Sequence, residues 1–335
     1  MKPGTLSTLF HPFDAGHLDL PGKASRILFL GAEPGLRELL QGGAEVTCVN
    51  GFRPSYLQLE REGWTTVADA QGEGYDIALV LAQKHRGLNE ARIAEAWQRL
   101  REGGVILVAG AKDDGIDSLR KRTAGKVALD GSLSKYHGVV FWFTRRADHP
   151  VPFAEEGEPM LVEGRFRAAP GMFSHDRVDP GSRLLAESLP ADLKGAAADF
   201  CAGWGYLAAE LLSRCAGIKT LDLLEADHAA LMAAKANLAG AAVPTDFHWI
   251  DLAGEPVTGR YDVIVMNPPF HAGRMAEPDL GAKMIAAAAK ALKPRGRLFM
   301  VANRHLPYEP VLAASFAAHG EVARDRGFKV LYGRR

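Results

Sequence analysis

The sequence predicts an α/β protein built from two successive, doubly wound parallel sheets. Three observations predict this class: apolar strands alternate with helical segments, the same order of elements recurs in the second half, and polar or glycine turns follow the strands. The chain of 335 residues, with 47% hydrophobic and 24% charged residues, is long and apolar enough for two ordinary globular domains.

The first half begins with a polar stretch, residues 1–25, whose prolines and glycines predict an extended lead-in with little regular structure. Apolar periodicity then predicts four strands and two helices. The strands are 26–31, 45–50, 75–81 and 105–109, and the helices run from about Leu36 and over Leu88–Arg101.

Residues 135–143 look like one strand that closes the first domain. Residues 145–160 are rich in charge and proline, which is typical of a linker. The predicted domains are therefore 1–155 and 156–335.

Characteristic residues at turns and strand starts occur in the same order in both halves. Gly35 corresponds to Gly205, the pair Tyr75-Asp76 to Tyr261-Asp262, and Gly104 to Gly296. We interpret this as a duplicated domain of which the first copy is degenerate. Where the second copy reads Asn-Pro-Pro-Phe, the first is aligned with residues 82–85, and its second strand ends in Asn50 rather than an acid.

The degenerate copy is expected to be structural and to bind no cofactor. It still carries basic side chains at the ligand-side end of a strand, including Lys84 and Arg86. Such residues are able to contact phosphates, so we predict that they take part in substrate binding if the substrate is a nucleic acid.

Composition excludes several classes of function. Forty basic and forty acidic residues balance, so binding to nucleic acid would need a local patch rather than the whole molecular field. The three cysteines form no disulfide framework, the histidines show no metal-ligand spacing, and no stretch is apolar enough for a membrane span. These features predict a cytoplasmic protein with no metal and no membrane partner.

The strand Tyr261–Met266 ends in Asn267-Pro268-Pro269-Phe270, which is the most informative stretch of the chain. Two prolines stop the strand and stiffen the turn, and open α/β sheets bind ligands at this end of their strands. The amide oxygen of Asn267 and the carbonyl of Pro268 would accept hydrogen bonds from an amino group, and Phe270 would stack on a planar base. Pro269 and His271 would contact the same substrate.

A glycine loop follows an earlier strand of the second half. The strand ends in Asp199-Phe200, and Cys201-Ala-Gly203-Trp-Gly205 leads into a helix from Tyr206. Glycine lets the backbone approach a ligand closely. The acid Asp199 suits the ammonium of an amino-acid moiety better than a pyrophosphate.

Two further acids end successive strands. Glu225 follows the next strand at about 20 residues from the loop, where an acid accepts hydrogen bonds from ribose hydroxyls. Asp251 is placed to accept from the amino group of adenine. Together with the glycine loop, these acids predict a site for a ribose- and adenine-containing cofactor with an amino-acid moiety.

Residues from about 160 to 335 resemble class I S-adenosylmethionine-dependent methyltransferases, and in particular the ribosomal RNA guanine-N2 methyltransferases that act on 16S RNA. The resemblance rests on Phe173-Ser174 with Asp179-x-Gly-Ser182, on Asn267-Pro-Pro-Phe-His, on the segment from Val301 through Asn303 to Tyr308, and on Phe328-Lys329-Val330. One departure is Cys201, which stands where the family usually has its first loop glycine.

The resemblance implies two tandem Rossmann-like domains, S-adenosylmethionine as cofactor, and methyl transfer to the exocyclic N2 of a guanine in 16S ribosomal RNA. It further implies a cofactor contact at Phe173 and substrate contacts at Asn303 and Lys329. The implied partner is the small ribosomal subunit, and a duplicated domain acting as its own internal dimer would be a monomer.

Other functions share the same motif. N6-adenine methylation of nucleic acid and N5-glutamine methylation of protein both act on a planar nitrogen with Asn-Pro-Pro-aromatic turns. A non-catalytic ribosome-assembly factor that retains the fold is an alternative of another class, which failure to bind S-adenosylmethionine would support. His271 is either a proton acceptor or a substrate contact.

Overall fold

The computed structural model describes residues 4–36, 43–155, 159–269, 271–272, 275–276 and 278–335. The chain forms two compact units, and each is an α/β domain. Unit 1 comprises 1–158 and 169–171, and unit 2 comprises 159–168 and 172–335. No helix in the described ranges is long and apolar enough to cross a membrane.

The elements of unit 1 follow the predicted alternation. They are α1 (Thr5–Asp14), β1 (Arg26–Leu30), β2 (Glu45–Val49), α2 (Arg53–Arg61), β3 (Thr65–Val67), β4 (Tyr75–Leu81), α3 (Arg86–Arg99), β5 (Leu100–Ala111), α4 (Ile116–Ala124), β6 (Gly131–Lys135) and β7 (Gly138–Thr144).

Unit 2 has a short hairpin followed by a second α/β domain. Its elements are β8 (Met160–Val162), β9 (Phe166–Ala168), α5 (Pro180–Ser188), β10 (Lys194–Phe200), α6 (Tyr206–Arg214), β11 (Gly217–Glu225), α7 (His228–Asn237), β12 (Thr245–Trp249), β13 (Tyr261–Met266), β14 (His271–Ala272), β15 (Met275–Ala276), α8 (Pro278–Ala291), β16 (Leu292–Asn303), α9 (Glu309–Ser315), β17 (Ala318–Arg324) and β18 (Phe328–Arg334).

The two large sheets have the same topology. The order in unit 1 is β3-β2-β1-β4-β5-β7-β6, and in unit 2 it is β12-β11-β10-β13-β16-β18-β17. In both sheets the first five strands are parallel, and the sixth strand, β7 or β18, is antiparallel to both of its neighbours. The predicted fold class, two tandem Rossmann-like domains, is confirmed.

The central strands of each sheet form because their side chains are apolar on both faces of the sheet. In β13 only Asp262 is not buried, and clusters of buried apolar residues lie on each side of the sheet in unit 2. The strand order reverses between β10 and β13, so their carboxyl ends leave a crevice between them. The ends of these two strands carry the candidate site.

Two local predictions were wrong. The predicted lead-in contains a helix, because α1 forms at Thr5–Asp14 and buries Leu9, Phe10 and Phe13 against the sheet despite Pro12 inside it, whereas residues 15–25 form no helix or strand, as predicted. Residues 135–143 are not one strand. Tyr136 and His137 both have positive φ angles, which turns the chain between β6 and β7. The helix predicted from about Leu36 falls mostly outside the described residues.

Candidate active site

The glycine loop connects β10 to α6 at the crevice. The backbone N–H groups of Cys201 and Ala202 donate to the carbonyl of Leu224 at 2.9 and 3.3 Å, which fixes the loop to the end of β11. Gly203 has a φ of 53° and an added Cβ would meet no atom within 4 Å, so its Cα faces open space. At Gly203 the surface of the loop is therefore formed by backbone atoms and not by a side chain.

Glu225 joins the same loop to the following helix. Its Oε2 accepts from the N–H of Gly203 at 2.7 Å, and its Oε1 accepts from the N–H of Asp227 at 2.8 Å. Burial raises the pKa of Glu225, while these backbone hydrogen bonds oppose the rise. A carboxylate oxygen accepts more than one hydrogen bond, so both oxygens retain capacity for ribose hydroxyls.

Asp199 lies beneath the loop with none of its surface exposed. Its Oδ2 accepts from the N–H of Ala208 at 2.9 Å, whereas Oδ1 is buried and has no hydrogen-bond partner among the described residues. Burial raises the pKa of Asp199 well above its usual value, and the nearby carboxylate of Glu225 adds to the rise. An unpaired buried carboxylate is costly, and a cationic group nearby would relieve that cost.

Asp251 follows β12 and organises a turn. Its Oδ1 accepts from the N–H of Ala253 at 2.9 Å, and its own N–H donates to Oε2 of Glu255 at 2.9 Å. The structure thus gives Asp251 a local role in addition to the proposed contact with adenine.

Asn267 ends β13 and its side chain is held by α5. Its Nδ2 donates to Oδ2 of Asp179 at 3.1 Å and to Oγ of Ser182 at 2.7 Å. A carboxylate only accepts hydrogen bonds, so the end of the amide that faces Asp179 is the nitrogen. The amide oxygen is consequently directed to the other side.

The two residues that hold Asn267 begin α5. Asp179 is the N-cap, and its Oδ2 accepts from the N–H of Ser182 at 2.7 Å. Asp179 followed by Pro180 is typical of a helix start, but nothing in the sequence predicts its contact with Asn267, which lies 88 residues further along the chain. The one available signal was general: an amide at the end of a strand needs a hydrogen-bond acceptor for its nitrogen.

A cleft brings part of the predicted site together. Its lining includes the predicted residues Phe173, Cys201, Gly203 and Asn267. It also includes residues that sequence reasoning did not assign to the site, namely Ser174, Asp179, Ser182, Ala202, Trp204, Tyr206 and Leu207. Of the other predicted residues, Asp199, Gly205 and Glu225 belong to the loop or contact it, and Asp251 lies after β12; none of the four lines this cleft.

Cys201 adopts a conformation that favours glycine, with a φ of 59°. Its Sγ lies 3.5 Å from Sδ of Met284 on α8, so the thiol packs against a flexible apolar side chain. Burial raises the pKa of the thiol well above its usual value, which keeps it protonated. The departure from glycine is therefore accommodated by local packing.

The rest of the strand-end motif is partly described. Pro268 is buried and Pro269 is exposed. Phe270 lies outside the described residues, and of His271 only the backbone is described, in β14 paired with β15. The predicted roles of Phe270 and His271 stay predictions.

Asn303 and Lys329 lie on the neighbouring strands β16 and β18, outside the cleft lining. Lys329 is 5% exposed, and its Nζ donates to Oε1 of Glu309 at 2.6 Å. The structure thus gives Lys329 an ion pair, and a substrate contact there stays a prediction.

Unit 1 has the same strand ends with different chemistry. Asn50 stands in the place of Glu225, and its Nδ2 donates to the carbonyl of Ala32 at 2.8 Å. Nη1 of Arg92 donates to the carbonyl of Leu81 at 2.9 Å, and a Cβ on Gly31 would lie 2.5 Å from that nitrogen. A guanidinium thus occupies the crevice at which unit 2 has its loop.

The strand register corrects one alignment. Leu30 pairs with Val80 as Phe200 pairs with Met266, so Leu81, not Ala82, corresponds to Asn267. Of the predicted phosphate contacts, Lys84 is exposed. Arg86 begins α3 with its Nε 3.7 Å from Oε2 of the buried Glu90.

Comparison with known proteins identifies the family. Residues 163–332 match the model of the methyltransferase small domain. Ribosomal RNA small subunit methyltransferase C of Citrobacter koseri is 33% identical over 284 residues, which cover 82% of this chain and 81% of that protein. The enzyme of the same name from Salmonella arizonae is 36% identical over 238 residues, 68% of this chain and 66% of that protein.

A solved structure is similar over the full chain. It is the T. thermophilus 16S rRNA N2 G1207 methyltransferase (RsmC) in complex with AdoMet and guanosine, with a TM-score of 0.81 and 25% identity. The match covers 100% of this chain and 92% of that chain. The chain therefore belongs to the ribosomal RNA small subunit methyltransferase C family.

Proposed function

We propose that this protein transfers a methyl group from S-adenosylmethionine to the exocyclic N2 of a guanine in 16S ribosomal RNA. The observation that carries the proposal is the amide of Asn267, whose nitrogen is bound by Asp179 and Ser182 at the end of β13. Its oxygen would accept from a substrate amino group beside the glycine loop. Membership of the family supports the same reaction.

S-adenosylmethionine suits the residues around the loop. The orphaned Oδ1 of Asp199 matches an ammonium, the carboxylate of Glu225 matches ribose hydroxyls, and the open face of Gly203 leaves room for close approach. The cofactor supplies an electrophilic methyl on a sulfonium.

The remaining cofactor contacts belong to the same proposal. Asp251 would accept from the adenine amino group, and Phe173 would cover the cleft. Cys201 and Gly205 shape the loop, both with positive φ angles.

Catalysis in this proposal is positioning rather than acid–base chemistry. The N2 of guanine is a weak nucleophile because its lone pair is delocalised into the ring. Hydrogen bonds accepted by Oδ1 of Asn267 and by the Pro268 carbonyl favour the pyramidal nitrogen and direct its lone pair toward the methyl. Phe270 would stack on the base, with Pro269 and His271 beside it; stacking of this kind contributes about 1–3 kcal/mol.

Unit 1 is proposed to be the degenerate domain (1–155 in the sequence-based division) that orients RNA, with 156–335 catalytic. Lys84 and Arg86 would contact phosphates, and Asn303 and Lys329 would contact the substrate nearer the site. The small subunit as physiological substrate, a monomeric enzyme and a cytoplasmic location complete the proposal. The family name supports the small subunit as substrate and agrees with a cytoplasmic location.

The test is transfer of labelled methyl from S-adenosylmethionine to small subunits, naked 16S RNA, DNA and protein in parallel. The proposal predicts label in RNA, preferentially on the subunit, and loss of most of that label with Asn267→Ala. Label in DNA or protein would instead support N6-adenine or N5-glutamine methylation. Absence of both label and cofactor binding would support the assembly-factor alternative.

A further inference from the structure

We infer that Asp179 and Ser182 are positioning residues that fix the rotation of the Asn267 amide. This inference rests on the proposed attack by an amino nitrogen. The two side chains bind Nδ2 of Asn267 at 3.1 and 2.7 Å. Both line the cleft, yet both act on the substrate only through Asn267.

The chemistry of the partners decides which way the amide points. A flipped amide would bring its oxygen against the carboxylate of Asp179, and two acceptors at about 3 Å repel. It would also turn the NH2 group toward a substrate amino group, so that two donors faced each other. Asp179 therefore selects the one rotation in which Oδ1 is able to accept from an amino nucleophile.

Asp179 is itself held rigidly. Its Oδ2 accepts the N–H of Ser182 at 2.7 Å as the N-cap of α5, so one atom binds both the helix and the amide. Ser182 is 8% exposed. Gly181 precedes Ser182, and a Cβ there would lie 2.9 Å from the ring of Phe328, so glycine lets α5 approach β18 closely. The amide is held by a packed helix terminus rather than by a loop.

The negative charge of Asp179 also affects the amide electronically. A carboxylate that accepts from an amide nitrogen polarises the group and makes its oxygen a better acceptor. The positioning pair should therefore affect the rate of transfer more than the binding of either substrate.

The experiment compares Ser182→Ala, Asp179→Ala and Asp179→Asn under single-turnover conditions, with small subunits or 16S RNA as substrate. Ser182→Ala should lower the rate about 3- to 10-fold, the usual effect of one neutral hydrogen bond. Asp179→Ala should lower it about 10- to 100-fold, since its partner is charged. Asp179→Asn should have a rate between those of wild type and Asp179→Ala. Its amide oxygen is able to cap α5 and to accept from Asn267, but it carries no negative charge and its NH2 group also tolerates the flipped amide.

Ser188→Ala is the matched control. Ser188 lies on the same helix, and its Oγ donates to the carbonyl of Leu184 at 2.7 Å. The control should leave the rate within about two-fold of wild type, as expected for a site without shared partners. The KM for S-adenosylmethionine should be unchanged in Ser182→Ala and Asp179→Asn. Thermal unfolding of each variant measures the effect on folding separately.

The decisive arm repeats Ser182→Ala and Asp179→Ala in an Asn267→Ala background. If both residues act through the amide, each should then change the residual rate by less than about two-fold. Equal losses with and without the amide would overturn the inference, because a purely structural effect of α5 does not depend on Asn267. Ser182→Ala removes no helix cap, so it decides the question even if Asp179→Ala fails to fold.

The product distinguishes the two proposals. If wild type forms a methylated nucleoside other than N2-methylguanosine, the proposed substrate fails, and the same cycle read on that product still decides the role of Asp179 and Ser182. If wild type transfers no methyl to any amino nitrogen, both proposals are overturned.

Discussion

Replacing Asp199 by Asn should stabilise the protein without cofactor and weaken its affinity for S-adenosylmethionine. Asp199 is fully buried, with Oδ1 unpaired and Oδ2 bound to the N–H of Ala208. Asparagine has the same shape and its oxygen is able to keep the hydrogen bond to Ala208. The substitution thus removes a titratable carboxyl group and little else.

The sign of the pH dependence follows from the raised pKa of Asp199. The protonated acid is favoured in the folded state, so its contribution to stability is fully present below about pH 4, the value of an unfolded Asp. That contribution is lost as the pH rises through the folded-state pKa. Asparagine does not titrate, so the stability of the variant relative to wild type should increase over the same window.

Near neutral pH the free energy of unfolding should increase by at most about 1–3 kcal/mol, which is the cost of an unsatisfied buried polar group. The unpaired NH2 group that asparagine introduces makes the increase smaller. At about 2–4 °C per kcal/mol for a domain of this size, the melting temperature should rise by a few degrees. The loss of a charged partner for the cofactor ammonium should weaken binding about 10-fold or more.

Thermal unfolding of wild type and Asp199→Asn between pH 5 and pH 8.5, and calorimetric titration of S-adenosylmethionine, measure the two effects. A variant that is less stable than wild type at every pH would refute the argument from buried charge. A variant with unchanged cofactor affinity would refute the proposed ammonium contact.

Three further variants test the loop, the predicted phosphate contacts and the crevice of unit 1. Gly205→Ala should destabilise the protein by about 1–2 kcal/mol in urea unfolding, because the φ is 88° and the new Cβ would lie 3.1 Å from that of Ala234; unchanged stability would contradict this. The double variant Lys84→Ala/Arg86→Ala should weaken RNA binding and make it less dependent on salt. The slope of log K against log salt should become shallower by about 0.7 for each single-strand phosphate that is no longer neutralised. An unchanged slope would exclude binding of phosphates by these side chains. Arg92→Ala should lower stability by about 1 kcal/mol and leave cofactor stoichiometry at one, whereas a second cofactor site in calorimetry would show that the guanidinium alone blocks unit 1.

The features that sequence predicts well here are those with strict local chemistry. Strands buried on both faces are continuous apolar runs, and the residues that end them, such as Glu225 and Asn267, are recognisable by type and position. The alternation of such strands with helices was sufficient for the fold class.

Local composition misled where tertiary packing decided the structure. Pro12 and the surrounding polar residues disfavour a helix by local propensity. The helix α1 nevertheless forms, because Leu9, Phe10 and Phe13 make one buried apolar face. The turn at Tyr136 and His137 requires positive φ angles that neither residue prefers, so the sequence did not predict it.

The hydrogen bonds of Asp179 and Ser182 to Asn267 could not be predicted from spacing. They join the first turn of α5 to the end of β13, and only the packing of α5 against β16 and β18 brings the two together. The sequence shows an aspartate at a position typical of a helix cap. That local role accounts for Asp179 by itself and gives no indication that it also binds Asn267.

The atom that receives the methyl group tests the central claim most directly. RNA modified by the purified protein would be digested to nucleosides and analysed by mass spectrometry against methylated standards. N2-methylguanosine with wild type, and its loss with Asn267→Ala while cofactor binding persists, is the predicted result. N6-methyladenosine, or a guanosine methylated on a ring nitrogen, would contradict the proposed acceptance of an exocyclic guanine amino group by Asn267.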